Sequence, residues 1–542
     1  MRDFLRFLLI MLTLGFTSQI ATAEAVDSAT AACQALRDSA HSVQFWQISD
    51  APTKILSADV VPPDAAKGTP EICRVEGNIS PTIGFLLRMP TKTWNGKFMM
   101  GGCGGPCGNY LEDRIDPALA RNYAVVTTDM GHKGQGWNWA YHNLDGQIDF
   151  GYRSTHLVAL VAKVIIAEYY GKKATRNYYW GCSTGGRQGM VEAQRFPKDF
   201  EGIIAGAPVW NQTGNNPYFG SWNALVNIDK NGKPILDAKK LPMIHESVLA
   251  ACDALDGLKD GILQDPRRCK WDPSQILCKG GNQDSCLTQA EAEVVRKINQ
   301  GATNSKGERL YWGMPPGSED QWTPIWINSD GKPGTALGGP GFIADTMQHW
   351  VAFFYEKGPF YSAMDFNYDE DPERIALKEW IFNAQNPDLR KFKNAGGKLI
   401  LFTGWHDNNI PPEAAVDYYE TTTRTMGGEK ATKEFFRLFL LPAVNHCRGG
   451  LGGGEVDWIT ALENWVEKSQ APEQVIAYHL KDPYPVLRGA CGGEAPYTVF
   501  GRHPLDPSTY DRTRPVYAYP DVAMWSGKGD PNQASSWQKA LR

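Results

Sequence analysis

Between residues 96 and 208, short apolar runs alternate with stretches of helical period, the texture of parallel α/β units in which a crossover helix follows each buried strand. Residues 97–100 and 123–128 read as buried strands, 155–170 as a strongly apolar helix, and 177–180 and 202–205 as further strands. The texture returns late, with strands over 398–402 and 435–440 and a helix over 459–468. From about 210 to 387 it is lost, in a stretch rich in Gly, Pro, Trp and Cys that holds few regular runs. An insertion explains this better than two sequential domains, because it separates two halves of one strand pattern. The expected fold class is therefore α/β, a doubly wound sheet built from 24–209 and 388–542 and interrupted by an inserted domain over 210–387. The tail after about residue 502 reads as an irregular strap.

The N-terminus carries Arg2 and Arg6, an apolar run over 7–16 and then Ala21-Thr22-Ala23, the order of a secretory signal peptide over 1–23. No later segment reaches the roughly 18 consecutive apolar residues that cross a bilayer, so no membrane span is expected and the protein reads as secreted or periplasmic. Export places the 11 cysteines in an oxidising compartment, where pairing is the default; the odd number leaves at least one free or paired between chains. Asn78-Ile79-Ser80 and Asn211-Gln212-Thr213 fit the glycosylation pattern, which matters only in a eukaryotic host. A length of 542 residues with 42% hydrophobic residues excludes disorder and exceeds what one compact core usually holds. A net charge of -5 leaves no electrostatic footprint for nucleic acid. The 18 Trp and 21 Tyr are more than a core needs, and aromatic faces line sites for rings or sugars.

Gly181-Cys182-Ser183-Thr184-Gly185 fits G-x-S-x-G, a sharp strand-to-helix turn on which small flanking residues let a serine project its hydroxyl. A strand pattern precedes it, and a helical stretch that stops before Pro197 follows. A serine hydroxyl is a poor nucleophile at neutral pH; it needs a base, and the base needs a carboxylate to fix its tautomer. In the order Ser, Asp, His, the candidates are Asp407 and His446, each placed where a loop leaves the carboxyl end of a predicted strand. His406, or His132 with Asp129, are alternative choices. Cys182 immediately precedes the serine and Cys447 immediately follows His446, so a bridge between them is expected if nucleophile and base meet.

These residues resemble the tannase and feruloyl esterase family of secreted α/β-hydrolases, whose mark is a cysteine-serine pair, a later aspartate and a histidine-cysteine pair with bridged cysteines. Residues 202–208, 398–404 and 512–515 also look familial, and the similarity covers nearly all the mature chain. The resemblance implies an α/β-hydrolase fold with a large lid over 210–387, and a feruloyl esterase-like serine carboxylesterase acting on small esters of aromatic acids. Tannase activity on galloyl esters, or hydrolysis of terephthalate monoesters, is the alternative within the class. A non-catalytic binding protein on the same fold is the alternative outside it.

It further implies oxyanion donors at the backbone N–H of Gly104, in the run Gly101-Gly102-Cys103-Gly104-Gly105, and of Thr184. A structural Ca2+ is implied in 252–262, with carboxylates from Asp253, Asp256 and Asp260 and carbonyls from Leu258 and Ile262. The family's pairing gives Cys252 with Cys269, Cys33 with Cys73 and Cys278 with Cys286. Tyr517 stands where the family often has a tail cysteine, so Cys491 lacks that partner; Cys103 and Cys107 could bridge each other or engage Cys491. No arginine here is matched to the one with which the terephthalate enzyme holds a free carboxylate. Trp322 or Trp326 could supply an aromatic wall from the lid, or could equally be core.

Overall fold

The computed structural model describes residues 29–37, 47–134, 136–231, 233–281, 283–322, 366–481 and 504–540. The expected signal peptide, Trp326 and Cys491 lie outside these residues.

Nine strands form one sheet: β1 (Thr53–Val61), β2 (Ile72–Ile79), β3 (Ile83–Pro90), β4 (Lys97–Gly101), β5 (Ala124–Thr128), β6 (Arg176–Cys182), β7 (Gly202–Gly206), β8 (Lys398–Gly404) and β9 (Phe436–Leu441). Their order is β1-β2-β3-β5-β4-β6-β7-β8-β9, antiparallel from β1 to β5 and parallel from β5 to β9. Strands such as Ala124–Thr128 and Gly202–Gly206 are buried along their whole length because both faces of the parallel half are covered. Against one face pack α1 (Ser154–Tyr170), α2 (Thr184–Arg195) and α5 (Pro412–Thr425), and against the other packs α6 (Trp458–Lys468). The helical run that ends in α1 is long and apolar enough to cross a membrane by length and composition, but most of it is buried inside the molecule.

The chain between β7 and β8 builds a hydrophobic cluster of its own around α3 (Leu241–Cys252) and α4 (Gln289–Gln300), with Phe219, Trp271, Tyr311 and Trp322 at its centre. This stretch is more regular than its composition suggests. In α4 the Thr288 side chain caps the Glu291 N–H while the Glu291 carboxylate accepts from the Thr288 N–H, and Ala292, Val295 and Ile298 form the buried stripe. The tail also differs from an irregular strap. β11 (Tyr510–Tyr517) pairs antiparallel with β10 (Gln474–Leu480), and β12 (Ala523–Trp525) pairs with β13 (Trp537–Lys539). Thr513 to Val516 are all buried, Val516 against the sheet and Arg514 beside Trp537, so the strand shows no period-2 pattern.

Five disulfides join Cys33–Cys73, Cys103–Cys107, Cys182–Cys447, Cys252–Cys269 and Cys278–Cys286. Of the two partners open to Cys103, the one found is Cys107.

Candidate active site

Ser183 stands at the junction of β6 and α2 with φ 64° and ψ -124°, a backbone region that costs a non-glycine residue about 1–3 kcal/mol. Its N–H donates to Gly206 O at 3.0 Å and its carbonyl accepts from Arg187 N at 3.0 Å, so the neighbouring strand β7 and helix α2 hold the turn. The flanking glycines are steric requirements. A Cβ on Gly181 would stand 2.5 Å from Gly185 O, and one on Gly185 would stand 2.8 Å from Cys103 O. The half-buried Ser183 side chain makes no hydrogen bond among the described residues.

The loop after β4 is laid directly on this elbow. Gly185 N donates to Cys103 O at 2.9 Å, Thr184 Oγ1 to Gly105 O at 2.8 Å, and Cys103 N to Gln188 Oε1 at 3.1 Å. The Tyr179 hydroxyl lies 2.8 Å from Gly185 O and 3.0 Å from Gln188 Oε1. The N–H groups of Gly104 and Thr184 donate to no protein acceptor among the described residues. Two free amides beside a projecting serine can stabilise an oxygen that gains charge when the hydroxyl adds to a carbonyl. Gln188, itself held by Tyr179, positions this loop, a role that a reading along the chain misses because Cys103 lies 85 residues away.

Asp407 and His446 sit in the loops after β8 and β9. His446 Nδ1 lies 2.9 and 3.0 Å from the two Asp407 oxygens, the carboxylate fully buried and the imidazole 7% exposed. Asp407 Oδ1 also accepts from Asn409 N and Ile410 N, each at 2.9 Å, so its oxygens are aimed by its own loop. The Cys182–Cys447 bridge, with Cα atoms 6.0 Å apart across 265 residues of sequence, ties the residue before Ser183 to the residue after His446. The other candidate pairs are elsewhere engaged. His132 stacks on Trp139 at 4.1 Å and burial pushes it down to about 4, while Asp129 pairs with Lys133 and accepts from Gly84 N. His406 is buried and faces Asp320 at 3.4 Å.

Beneath α2, His156 Nδ1 lies 2.6 Å from Asp199 Oδ2, Lys163 Nζ reaches Asp199 O, and Glu192 completes a compact group. Burial and the adjacent Asp199 charge hold the Glu192 carboxyl well above the usual carboxylate range. Asp199 is thus held between His156 and Lys163, with Glu192 of α2 beside it.

In the loop after α3, Asp253 and Asp256 are buried, and burial, reinforced by the Asp260 and Asp253 charges, pushes Asp256 up to about 7. Asp256 Oδ2 and Asp260 Oδ1 are buried without a hydrogen-bond partner, and the carbonyls of Leu258 and Ile262 accept no backbone hydrogen bond among the described residues. Arg514 of β11 donates to Asp260 Oδ2 at 2.7 Å. Orphaned carboxylate oxygens and open carbonyls in one stapled loop are the donor set a hard cation takes. Trp322 is fully buried in the insertion's core, with its indole N–H donating to Ser318 Oγ.

A mostly parallel sheet with a serine on the strand-to-helix elbow, and an aspartate and histidine on later strand loops, is the α/β-hydrolase arrangement. The chain belongs to the tannase and feruloyl esterase family, whose profile matches residues 66–540, and its class of activity is carboxylic ester hydrolysis. It is 31% identical to mono(2-hydroxyethyl) terephthalate hydrolase from Piscinibacter sakaiensis, over 94% of this chain and 91% of that one. A probable feruloyl esterase from Arthroderma benhamiae is 30% identical over 88% of each chain. Among solved structures, feruloyl esterase B from Aspergillus oryzae matches with a TM-score of 0.77 at 25% identity, covering 95% of this chain and 100% of that one.

Proposed function

We propose that the protein is a secreted serine esterase that hydrolyses esters of aromatic acids with Ser183 as nucleophile, His446 as base and Asp407 as the carboxylate that orients it. The observation that carries this reading is the tie between Cys182 and Cys447, which brings a strained, projecting serine and a carboxylate-held imidazole to one place. His446 takes the Ser183 proton as Oγ adds to the ester carbonyl, and the amides of Gly104 and Thr184 receive the oxyanion. His446 then gives the proton to the leaving alcohol, leaving an acyl-serine; water, deprotonated by His446, attacks the acyl carbon and releases the acid and Ser183. The contact between nucleophile and base is often loose before substrate arrives, so an unbonded Ser183 hydroxyl accords with this cycle.

The activities for which the relatives are named favour aromatic acyl groups, and the insertion over 210–387 is proposed as the lid that covers the bound ring. The five disulfides and the apolar N-terminus support export. The substrate reading is tested by comparing kcat/KM for methyl ferulate, methyl gallate, a terephthalate monoester and p-nitrophenyl butyrate. An aromatic-acid ester is expected to be preferred by at least tenfold; equal or better turnover of the butyrate would overturn it.

Calcium is proposed in the 253–262 loop, held by Asp253, Asp256 and Asp260 with the carbonyls of Leu258 and Ile262. There it neutralises crowded carboxylates and takes no part in the ester chemistry. An ion bound only to the native state stabilises it by about 2.7 kcal/mol at a hundred times its Kd. Chelation is therefore expected to lower Tm by several degrees while kcat at moderate temperature stays within about twofold, and Asp256→Ala should act alike. An unchanged Tm with EDTA, with no calcium by elemental analysis, would refute the site.

A further inference from the structure

We propose that the turn over residues 318–321 of the insertion is a positioning element for Asp407, with Asp320 acting through His406 and Gln321 through Asn408, so that the insertion contributes to turnover as well as to substrate binding. The inference rests on the reading of Ser183, His446 and Asp407 given above. It starts from a pair of buried atoms. His406 Nδ1 and Asp320 Oδ1 face each other at 3.4 Å without hydrogen-bond geometry, and neither has a hydrogen-bond partner among the described residues. A polar atom buried without a partner costs about 1–3 kcal/mol, so each atom's favourable counterpart is the other. A neutral imidazole with its proton on Nδ1 meets that need, because the carboxylate can only accept.

His406 is the residue before Asp407, and its backbone N–H donates to Val444 O at 3.0 Å, two residues before His446. One residue therefore joins three things: the insertion through its ring, the acid through the chain, and the base's loop through its amide. A second strut runs parallel to it, since Asn408 Nδ2 donates to Gln321 O at 3.0 Å. The aim of the Asp407 carboxylate depends on this loop, because Oδ1 is fixed by the Asn409 and Ile410 amides two and three residues on.

The turn is itself rigid. Both Glu319 oxygens accept from Gly317 N at 3.0 Å, Glu319 Oε2 lies 3.2 Å from His245 Nδ1 on α3, and Trp322 anchors the far side in the insertion's core. Gly317 has φ +93°, which favours glycine, and lets the chain pass against Leu263 and the His406 ring.

A misplacement of about 1 Å between catalytic groups can cost about 10²-fold in rate, and releasing one of two struts is expected to cost about tenfold. The test uses p-nitrophenyl acetate, an ester too small to depend on a lid for binding. Asp320→Ala is expected to lower kcat about tenfold with KM changed less than twofold, and Asp320→Asn, which keeps a carbonyl acceptor for His406, to restore most of it. Asn408→Ala is expected to lower kcat similarly, which keeps the idea testable if Asp320→Ala fails to fold. Unchanged kcat in the folded variants, or a loss confined to KM, would overturn the inference. Ser183→Ala, measured alongside, separates the two readings: if it is inactive while Asp320→Ala and Asn408→Ala turn over normally, only the positioning role falls, and if it stays active the whole site assignment falls.

Discussion

Ser183→Ala is expected to lower kcat for ester hydrolysis by about 10⁴- to 10⁶-fold with the melting temperature nearly unchanged. The magnitude follows from the cycle, since without Oγ no acyl intermediate forms and only the oxyanion amides and substrate binding still act. The fold is expected to survive because the Ser183 side chain makes no hydrogen bond among the described residues, while its backbone does the structural work through Gly206 O and Arg187 N. Alanine keeps the N–H and carbonyl, and its Cβ tolerates φ 64° as serine's does. The checks are steady-state kinetics on p-nitrophenyl butyrate and a thermal melt. Retention of more than about a tenth of the activity, in protein free of contaminating esterase, would remove Ser183 from its role.

The second large effect is expected at the bridge between the two halves of the site. A Cys182→Ala, Cys447→Ala double variant that folds should lose about 10²-fold in kcat with a smaller rise in KM. Cys182 precedes Ser183, and Cys447, itself at φ 67°, follows His446, so the bridge limits drift between Oγ and the imidazole. In the chain-entropy picture a loop of 265 residues also stabilises the native state by roughly 5 kcal/mol, an upper guide. Stability and rate separate in the measurement: at a temperature where the variant is fully folded by circular dichroism, the stability term is silent and the geometric one remains. Full kcat under those conditions would make the bridge structural only.

Much of this site was legible in the sequence because its residues announce themselves locally. Gly181 is demanded by a contact inside the five-residue turn, and the flanking cysteines point to a bridge by adjacency alone. The parallel strands were legible because burial on both faces leaves continuous apolar runs, as in Ile203-Ile204-Ala205. The strands over 53–79 carry no such run: β1 has exposed positions along its length, and Arg74 and Glu76 of β2 pair with each other across the polar side of the antiparallel edge. The tail strand β11 escaped because its buried run, Thr513 to Val516, contains Arg514 and Pro515 and so does not read as apolar. Trp322, open in the sequence to a role in the core or in the pocket, packs in the insertion's core. The supporting contacts were out of reach altogether. Gln188 with Cys103, and Asp320 with His406, are 85 and 86 residues apart in sequence, and nothing local marks one member of such a pair for the other.

The most direct measurement of the central claim is the site of covalent labelling by a fluorophosphonate, which reacts with a serine only where a base activates it and amides receive the developing oxyanion. Peptide mass spectrometry of the labelled protein is expected to place a single stoichiometric adduct on Ser183, with esterase activity lost in proportion and no labelling of Ser183→Ala. An adduct on another residue, or full esterase activity in protein quantitatively labelled at Ser183, would contradict the account.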